Sequence, residues 1–165
     1  MKKIKSLFIV ALSLLLCVCV FSGCGVSKEE AKYTTLHNRN LELTDSEETF
    51  VEADNLVVKQ SGGIVSLYEP KDISFKLAGI EYNTVNYLFE NGRLYSMYYT
   101  MNLEQELNEE AAYDKLKKQL SFIYGEPINS EGNTWEVEFS NGSMFEISTG
   151  SGLAIVINST TDYQW

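Results

Sequence analysis

The sequence predicts an α+β domain, in which a single antiparallel sheet of several strands has two helices packed on one face. Short segments of alternating apolar and polar residues, separated by Gly, Asn and Pro, are typical of antiparallel strands. Two other stretches carry the capping residues of helices, and the longer one has apolar residues at helical spacing. The elements follow one another as strands, helix, strands, without the strand–helix alternation of a parallel sheet, and this order favours the antiparallel class.

The first predicted helix begins at Thr44-Asp45-Ser46-Glu47, a capping box in which Thr44 caps the helix and Glu47 follows three residues later. It ends near Asp54. Three strands separated by turn residues are predicted after it, at 56–60, 64–68 and 73–77.

The longer helix is predicted to begin after Asn108, whose side chain can cap it. Its apolar residues recur at helical spacing, at Tyr113, Leu116, Leu120 and Ile123. Gly125 can adopt the left-handed conformation that ends a helix, and Pro127 prevents the helix from continuing.

Two hairpins flank this helix, and each contains the turn sequence Asn-Gly. The first joins 84–89 to 93–101, the second joins 134–139 to 144–149, and the apolar run 153–157 is predicted as a central last strand. A two-residue loop in the second hairpin would separate its apolar side chains onto opposite faces. A three-residue loop with Gly142 left-handed pairs Val137 with Phe145 and gathers those side chains on one face, so the sequence predicts this loop.

The same three-residue loop, Glu90-Asn91-Gly92, is predicted for the first hairpin. It gathers apolar residues on one face, namely Val85, Tyr87, Phe89, Tyr95, Met97, Tyr99 and Met101. Leu88, Leu94 and Tyr98 are then predicted on the opposite face. Either these three residues form an apolar contact surface for another molecule, or another part of the chain covers them; the second interpretation is the one that we favour.

The first 24 residues have a pattern of their own. Lys2, Lys3 and Lys5 precede an apolar run that is too short for a transmembrane helix, as in an export signal. The run ends in Phe21-Ser22-Gly23-Cys24, which resembles the lipobox of bacterial lipoproteins, although that family usually has Leu where Phe21 stands. The resemblance implies cleavage before Cys24, diacylation of the Cys24 sulfur and attachment to the extracytoplasmic face of the cell membrane.

Three segments follow from this resemblance. Residues 1–23 are the signal peptide, 24–43 the lipidated cysteine and a flexible tether, and 44–165 the α+β domain. His37 falls in the tether, where a lone histidine is expected to be solvated. Loss of residues 1–23 removes three lysines and no acid, so the formal charge changes from −10 to −13 and no nucleic-acid partner is expected.

No cofactor and no metal ion are expected. Cleavage before Cys24 would discard Cys17 and Cys19, and His37 is the chain's only histidine. A zinc site, which takes about four such ligands, would therefore lack them. Hydrolase, zinc-protease and phosphate-binding motifs are missing from the sequence. Glu109 and Glu110 stand at the start of a predicted helix, where the helix dipole stabilises acidic side chains. This structural role explains the pair more simply than acid–base catalysis does.

These observations predict a non-catalytic protein-interaction module of the cell envelope rather than an enzyme. The partners would be the membrane, through the lipid on Cys24, and another envelope protein. One alternative is a ligand- or peptide-binding lipoprotein that serves a transporter or a sensor, with a closed aromatic-lined pocket. A third hypothesis, an enzyme acting on wall polymers, would need two buried carboxyl groups in a cleft.

The domain also resembles other families in its hairpin, helix and turn signals, which lie in 87–95, 120–127, from 135 onward and in 153–157. This pattern is similar to that of poorly characterised secreted bacterial proteins. The organisation is also loosely similar to the repeats of beta-lactamase-inhibitor-like proteins and to small outer-membrane assembly lipoproteins. These resemblances imply a binding module without catalytic residues, and they transfer no residue roles.

Overall fold

The computed structural model describes residues 28–71, 73–101 and 104–160. These residues form an eight-stranded antiparallel sheet with three α-helices and one 3-10 turn. The helices are α1 Lys28–Ala31, α2 Glu47–Ala53 and α3 Glu109–Tyr124, and the 3-10 turn is Ser151–Leu153. The strands are β1 Leu56–Gly62, β2 Val65–Pro70, β3 Phe75–Leu77, β4 Ile80–Glu90, β5 Arg93–Met101, β6 Thr134–Glu138, β7 Met144–Thr149 and β8 Ile155–Ser159. The architecture agrees with the predicted α+β class and equally with a mainly β description.

The strand order is β1-β2-β4-β5-β8-β7-β6, and β3 also pairs with β4. The last strand, β8, is central as predicted, because it lies between β5 and β7. One row of buried side chains crosses five strands in register, at Tyr87, Met97, Ile157, Ile147 and Trp135. This row marks the core face of the sheet, and the side chains one position along each strand point to the outer face.

Contacts place the two longer helices close to residues of the core face. Phe50 of α2 packs edge-on against Tyr87 and Phe89. Trp135 donates a hydrogen bond from its indole N–H to the Ser121 hydroxyl of α3, at 3.3 Å. These contacts join both helices to buried residues of the core.

The predicted cap of α3 is confirmed, whereas that of α2 is displaced. Asn108 accepts a hydrogen bond from the Ala111 backbone at 3.0 Å. The cap of α2 is Ser46, which accepts from the Thr49 backbone at 3.2 Å, rather than Thr44. A turn that precedes the helix explains the shift, because the Asp45 carboxylate accepts from the Glu42 N–H at 2.8 Å and delays the start of the helix.

The second hairpin has the predicted three-residue loop. Val137 lies opposite Phe145 and Trp135 opposite Ile147. Gly142 has a φ of 83° and donates its N–H to the Phe139 carbonyl at 2.9 Å. The positive φ explains why this position needs glycine.

The first hairpin differs from the prediction. Its loop has two residues, Asn91 and Gly92, with φ angles of 52° and 73°, and Glu90 lies opposite Arg93. Tyr95 forms a β-bulge, because Leu88 pairs with Ser96 while Phe89 pairs with Leu94. This extra residue brings the apolar side chains of β4 and those of β5 onto the same face.

Residues 33–43 pack on the domain, which corrects the expectation that 24–43 is a flexible tether before a domain beginning at 44. Leu36, Leu41 and Leu43 belong to the core, and a β-bridge joins Thr34 to Glu42. Three leucines at irregular spacing show no helical or strand period, so the segment did not stand out in the sequence. The part of the expected tether at residues 24–27 lies outside the described residues, as does the signal segment.

Candidate functional site

The outer face of the sheet carries a continuous strip of apolar side chains. Leu67 of β2 lies directly opposite Leu88 of β4, and Tyr98 of β5 lies directly opposite Val156 of β8. Leu88 and Tyr98 are diagonal neighbours, because Leu88 pairs with Ser96 and Tyr98 pairs with Asn86. We call Leu67, Leu88, Tyr98 and Val156 the outer strip.

Tyr98, which the sequence predicted on this face, is the most exposed residue of the outer strip. Its side chain is 42% exposed, and Leu88 is half-buried. Among the described residues, therefore, no second layer covers Tyr98, contrary to the intramolecular covering that we favoured. Leu67 and Val156 are half-buried beside these two residues and extend the strip beyond the predicted pair.

Leu94 does not belong to the outer face. It is 1% exposed and lies in the core, where it pairs with Phe89. The bulge at Tyr95 is the physical reason. With a three-residue loop Leu94 would point outward and Tyr95 into the core, whereas the two-residue turn with a bulge places them the other way round. Tyr95 is exposed instead.

A second feature, which the sequence did not reveal, is a buried polar cluster around His37. It consists of His37, Asn38, Asp54, Tyr87 and Tyr99, and we call it the His37 cluster. His37 Nε2 lies 2.9 Å from Asp54 Oδ2 and 2.8 Å from the Tyr87 hydroxyl oxygen. His37 Nδ1 lies 3.0 Å from the Tyr99 hydroxyl oxygen, and the Asn38 amide donates to Asp54 Oδ1 at 2.7 Å.

One arrangement of protons satisfies all these contacts. The Tyr87 hydroxyl donates to Asp54 Oδ2, so its oxygen remains free to accept. His37 Nε2 then carries a hydrogen directed to Asp54 and Tyr87, and Nδ1 accepts from the Tyr99 hydroxyl. Each polar atom of the histidine ring therefore has a partner.

The cluster keeps its carboxylate ionised and its phenols protonated. Burial alone would raise the pKa of Asp54, but hydrogen bonds from His37, Asn38 and Tyr87 outweigh it and lower that pKa below its ordinary value. Burial, followed by the proximity of Tyr99 and of the Asp54 charge, raises the pKa of Tyr87. Burial is also the main cause that raises the pKa of Tyr99. Both hydroxyls thus remain donors.

The cluster joins three parts of the chain. His37 and Asn38 come from the segment 33–43, Asp54 ends α2, and the two tyrosines come from the core face of β4 and β5. The side chains of His37 and Asp54 are 9% and 7% exposed. The expectation of a solvated His37 is therefore wrong. A histidine, a carboxylate and phenols can move protons, but their burial here leaves little surface for a substrate, and the geometry fastens one segment to the sheet.

One sequence signal points to Asp54, although not to its partners. Asp54 is the C-cap of α2, where the helix dipole disfavours a negative charge. An acid at that position needs compensating donors, and in the structure His37 and Asn38 supply them.

Three clefts among the described residues are open to solvent, and each is lined by one aromatic residue. The first, of about 300 Å³, lies between the two Asn-Gly turns and includes Asp45, Arg93 and Phe145. The second, of about 350 Å³, includes Tyr113 with Glu109 and Glu110, whose side chains are both exposed. The third, of about 400 Å³, lies along α3 and includes Phe122.

Within the described ranges, no group of three or more His, Cys, Asp or Glu residues is placed to hold a metal ion. None of the helices in those ranges has the length and apolar character needed to cross a bilayer. Cys24, the predicted lipidation site, lies outside the described residues. Comparisons of the chain with protein-family models, with curated proteins and with solved structures found no match.

Proposed function

We propose that this protein is an extracytoplasmic lipoprotein, held to the cell membrane by diacylated Cys24, and that it binds another envelope protein through its outer strip. The single observation that carries the interaction is the exposed Tyr98 within a continuous apolar strip. The lipobox at residues 21–24 supports the location. Exposed apolar strips with polar surroundings are typical of protein contact surfaces.

The surroundings of the strip suit a protein partner. Asn86 and Ser96 lie beside Tyr98 on the same face, and the Ser96 hydroxyl donates to Asn158 at 2.7 Å. Glu146 lies opposite Asn158 at the next strand. The partner would therefore offer an apolar centre with hydrogen-bond donors at its edge. A tyrosine at such a centre contributes a large apolar ring and a hydroxyl that can remain hydrated.

We further propose that α2 and α3 both lie on the core face, which leaves the outer face to the partner. The contacts of Phe50 with Tyr87 support this for α2, and the hydrogen bond between Trp135 and Ser121 supports it for α3. Tyr87 and Trp135 belong to the same row of core-face residues.

The open clefts and the exposed acids that line one of them support a non-catalytic role. Glu109 and Glu110, which line a cleft, are exposed, whereas the hypothesis of an enzyme acting on wall polymers needs two buried carboxyl groups in a cleft. The alternative of a ligand-binding lipoprotein predicts a closed pocket with aromatic walls. The clefts described above are open and have one aromatic residue each, so they support the interaction module better.

Photo-crosslinking in native envelopes tests the contact. A photoreactive amino acid replaces Tyr98 in the full chain, and in a matched variant it replaces Phe122, which is also exposed and lies on α3. We expect a discrete adduct from position 98 and none from position 122, and we expect Tyr98→Ser to remove the partner in pull-downs without lowering the melting temperature. Equal adducts from both positions would contradict the proposal.

Acyl labelling tests the anchor separately. The wild-type chain and a Cys24→Ala variant are grown with a labelled fatty acid. We expect label and membrane retention in the wild type and neither in the variant. Label that persists after substitution of Cys24 would place the lipid elsewhere.

A further inference from the structure

The segment 33–43 forms an irregular hairpin whose tip and open end lie at different places on the sheet. The Thr35 N–H donates to the Leu41 carbonyl and the Leu43 N–H donates to the Tyr33 carbonyl, both at 2.9 Å. Its tip carries His37, which is held by the His37 cluster. Its open end carries Tyr33 and Leu43.

The open end lies at the end of the sheet that carries both Asn-Gly turns, which we call the turn end. The Tyr33 ring is 4.7 Å from the ring of Phe139, the residue that precedes the loop of the second hairpin. Leu43 lines the same cleft as Asn91 and Asn141, one from each turn. The two turns share one end because β5 and β7 both run antiparallel to β8.

The chain before Tyr33 stays close to that residue, because the Tyr33 N–H donates to the Glu30 carbonyl at 3.0 Å, and it is fixed to the segment 33–43. The Ala31 carbonyl accepts from the Arg39 guanidinium at 3.2 Å and from the Thr34 hydroxyl at 3.1 Å. Six residues separate Ala31 from Cys24, and the seven residue steps between them span at most about 25 Å even when fully extended. The flexible tether that the sequence suggested, which reached to residue 43, would have been more than twice as long.

We propose that the turn end of the sheet faces the lipid bilayer, so that the outer strip stands at the side of the domain. This inference rests on the proposed acylation of Cys24. A lipid on Cys24 fixes the membrane within about 25 Å of Ala31. The opposite end of β4, at Ile80, lies about 33 Å further along the strand from the turn. A domain of this length on so short a connection cannot turn its far end to the bilayer as freely as its turn end.

The consequence for binding is geometric. Strands β2, β4, β5 and β8, which carry the outer strip, would rise from the membrane, and Tyr98 would be presented laterally. The surface would therefore fit a partner that is also attached to the membrane, whose contact region lies beside the domain rather than above it.

Quenching by lipid headgroups tests this orientation. Ser140 at the turn end and Ser74 beside β3 are both exposed, and each is replaced by cysteine in a separate variant of the acylated chain. The proposed processing removes Cys17 and Cys19 and blocks the Cys24 sulfur, so a thiol-reactive fluorophore labels one site. The proteins are reconstituted in phosphatidylcholine vesicles that contain a headgroup-linked quencher, after mass spectrometry has confirmed the acyl group.

We expect quenching of the Ser140→Cys label to be several-fold stronger than quenching of the Ser74→Cys label. A Gly/Ser insert of about 20 residues after Gly25, which adds a root-mean-square reach of about 25 Å, should make the two labels alike. Equal quenching without the insert, or stronger quenching at position 74, would overturn the orientation but leave the anchor intact. A chain without an acyl group would overturn the proposed function itself, and the inference with it.

Discussion

The imidazole of His37 lies 2.9 Å from the carboxylate of Asp54, and this pair fastens the segment before α2 to the end of that helix. The Tyr87 and Tyr99 hydroxyls extend the contact to the centre of the sheet. A part of the chain that resembles a solvated linker in sequence is thereby an integral part of the fold.

Replacing His37 by alanine should destabilise the domain. The change leaves the buried Asp54 carboxylate without one donor and the Tyr99 hydroxyl without its acceptor. We expect the free energy of unfolding to fall by about 2–3 kcal/mol, measured by urea denaturation. Asn40→Ala, at an exposed position of the same segment, is the control and should change stability by less than about 0.5 kcal/mol. Equal effects of the two substitutions would show that the cluster does not hold the segment.

Stability should decrease in acid because of Asp54. Its pKa is lowered in the folded state, so ionised Asp54 contributes stability above its ordinary pKa of 3.8, and this contribution is lost as the pH falls through the lower folded value. Urea denaturation between pH 7 and pH 2 measures it. Asp54→Asn should be less stable than the wild type at pH 7, and the difference should narrow below pH 4. A constant difference across this range would contradict the assignment.

Leu94 and Leu88 should respond differently to truncation. Leu94→Ala removes a core side chain and should cost about 2–4 kcal/mol of unfolding free energy. Leu88→Ala, on the half-buried outer strip, should cost less than about 1 kcal/mol. Thermal and urea unfolding of both variants measure this. A small loss from Leu94→Ala, no larger than that from Leu88→Ala, would favour the three-residue loop that the sequence suggested, because that loop places both leucines on the outer face.

Two glycines provide a test of the first turn. Gly92 has a φ of 73°, and Gly92→Ala should cost about 1 kcal/mol because alanine disfavours that conformation. Gly62→Ala is the matched control, because Gly62 has an ordinary φ and open space around it. We expect its unfolding free energy to be unchanged within error. Similar losses at both glycines would argue against a strained two-residue turn.

The second hairpin could be predicted because its alternation leaves one register that collects the apolar side chains. The first hairpin also needs one residue more than a two-residue turn to collect its apolar side chains on one face. The alternation of apolar and polar residues does not show whether that residue lies in the loop or in a bulge in β5. A two-residue turn with a bulge buries Leu94 and exposes Tyr95, whose hydroxyl suits a wet position. The three-residue alternative would expose Leu94 and bury Tyr95. The difference in free energy between the two loops depends on contacts with neighbouring strands, which the sequence pattern does not reveal.

The His37 cluster could not be predicted from local pattern for a different reason. His37 contacts Asp54, Tyr87 and Tyr99 at separations of 17, 50 and 62 residues. Its own segment has no period, since its buried leucines belong to an irregular hairpin. The outer position of Tyr98 could be predicted, because Tyr98 lies between Met97 and Tyr99 in β5 and side chains alternate between the two faces of a strand.

Intact-mass spectrometry of the protein purified from membranes tests the central claim most directly. We predict a mature chain that begins at Cys24 and carries the mass of a diacylglycerol group on that residue, with fragment ions that locate it there. A chain that still begins at Met1, without a fatty acid, would contradict the anchor, the orientation and the proposed site of action together.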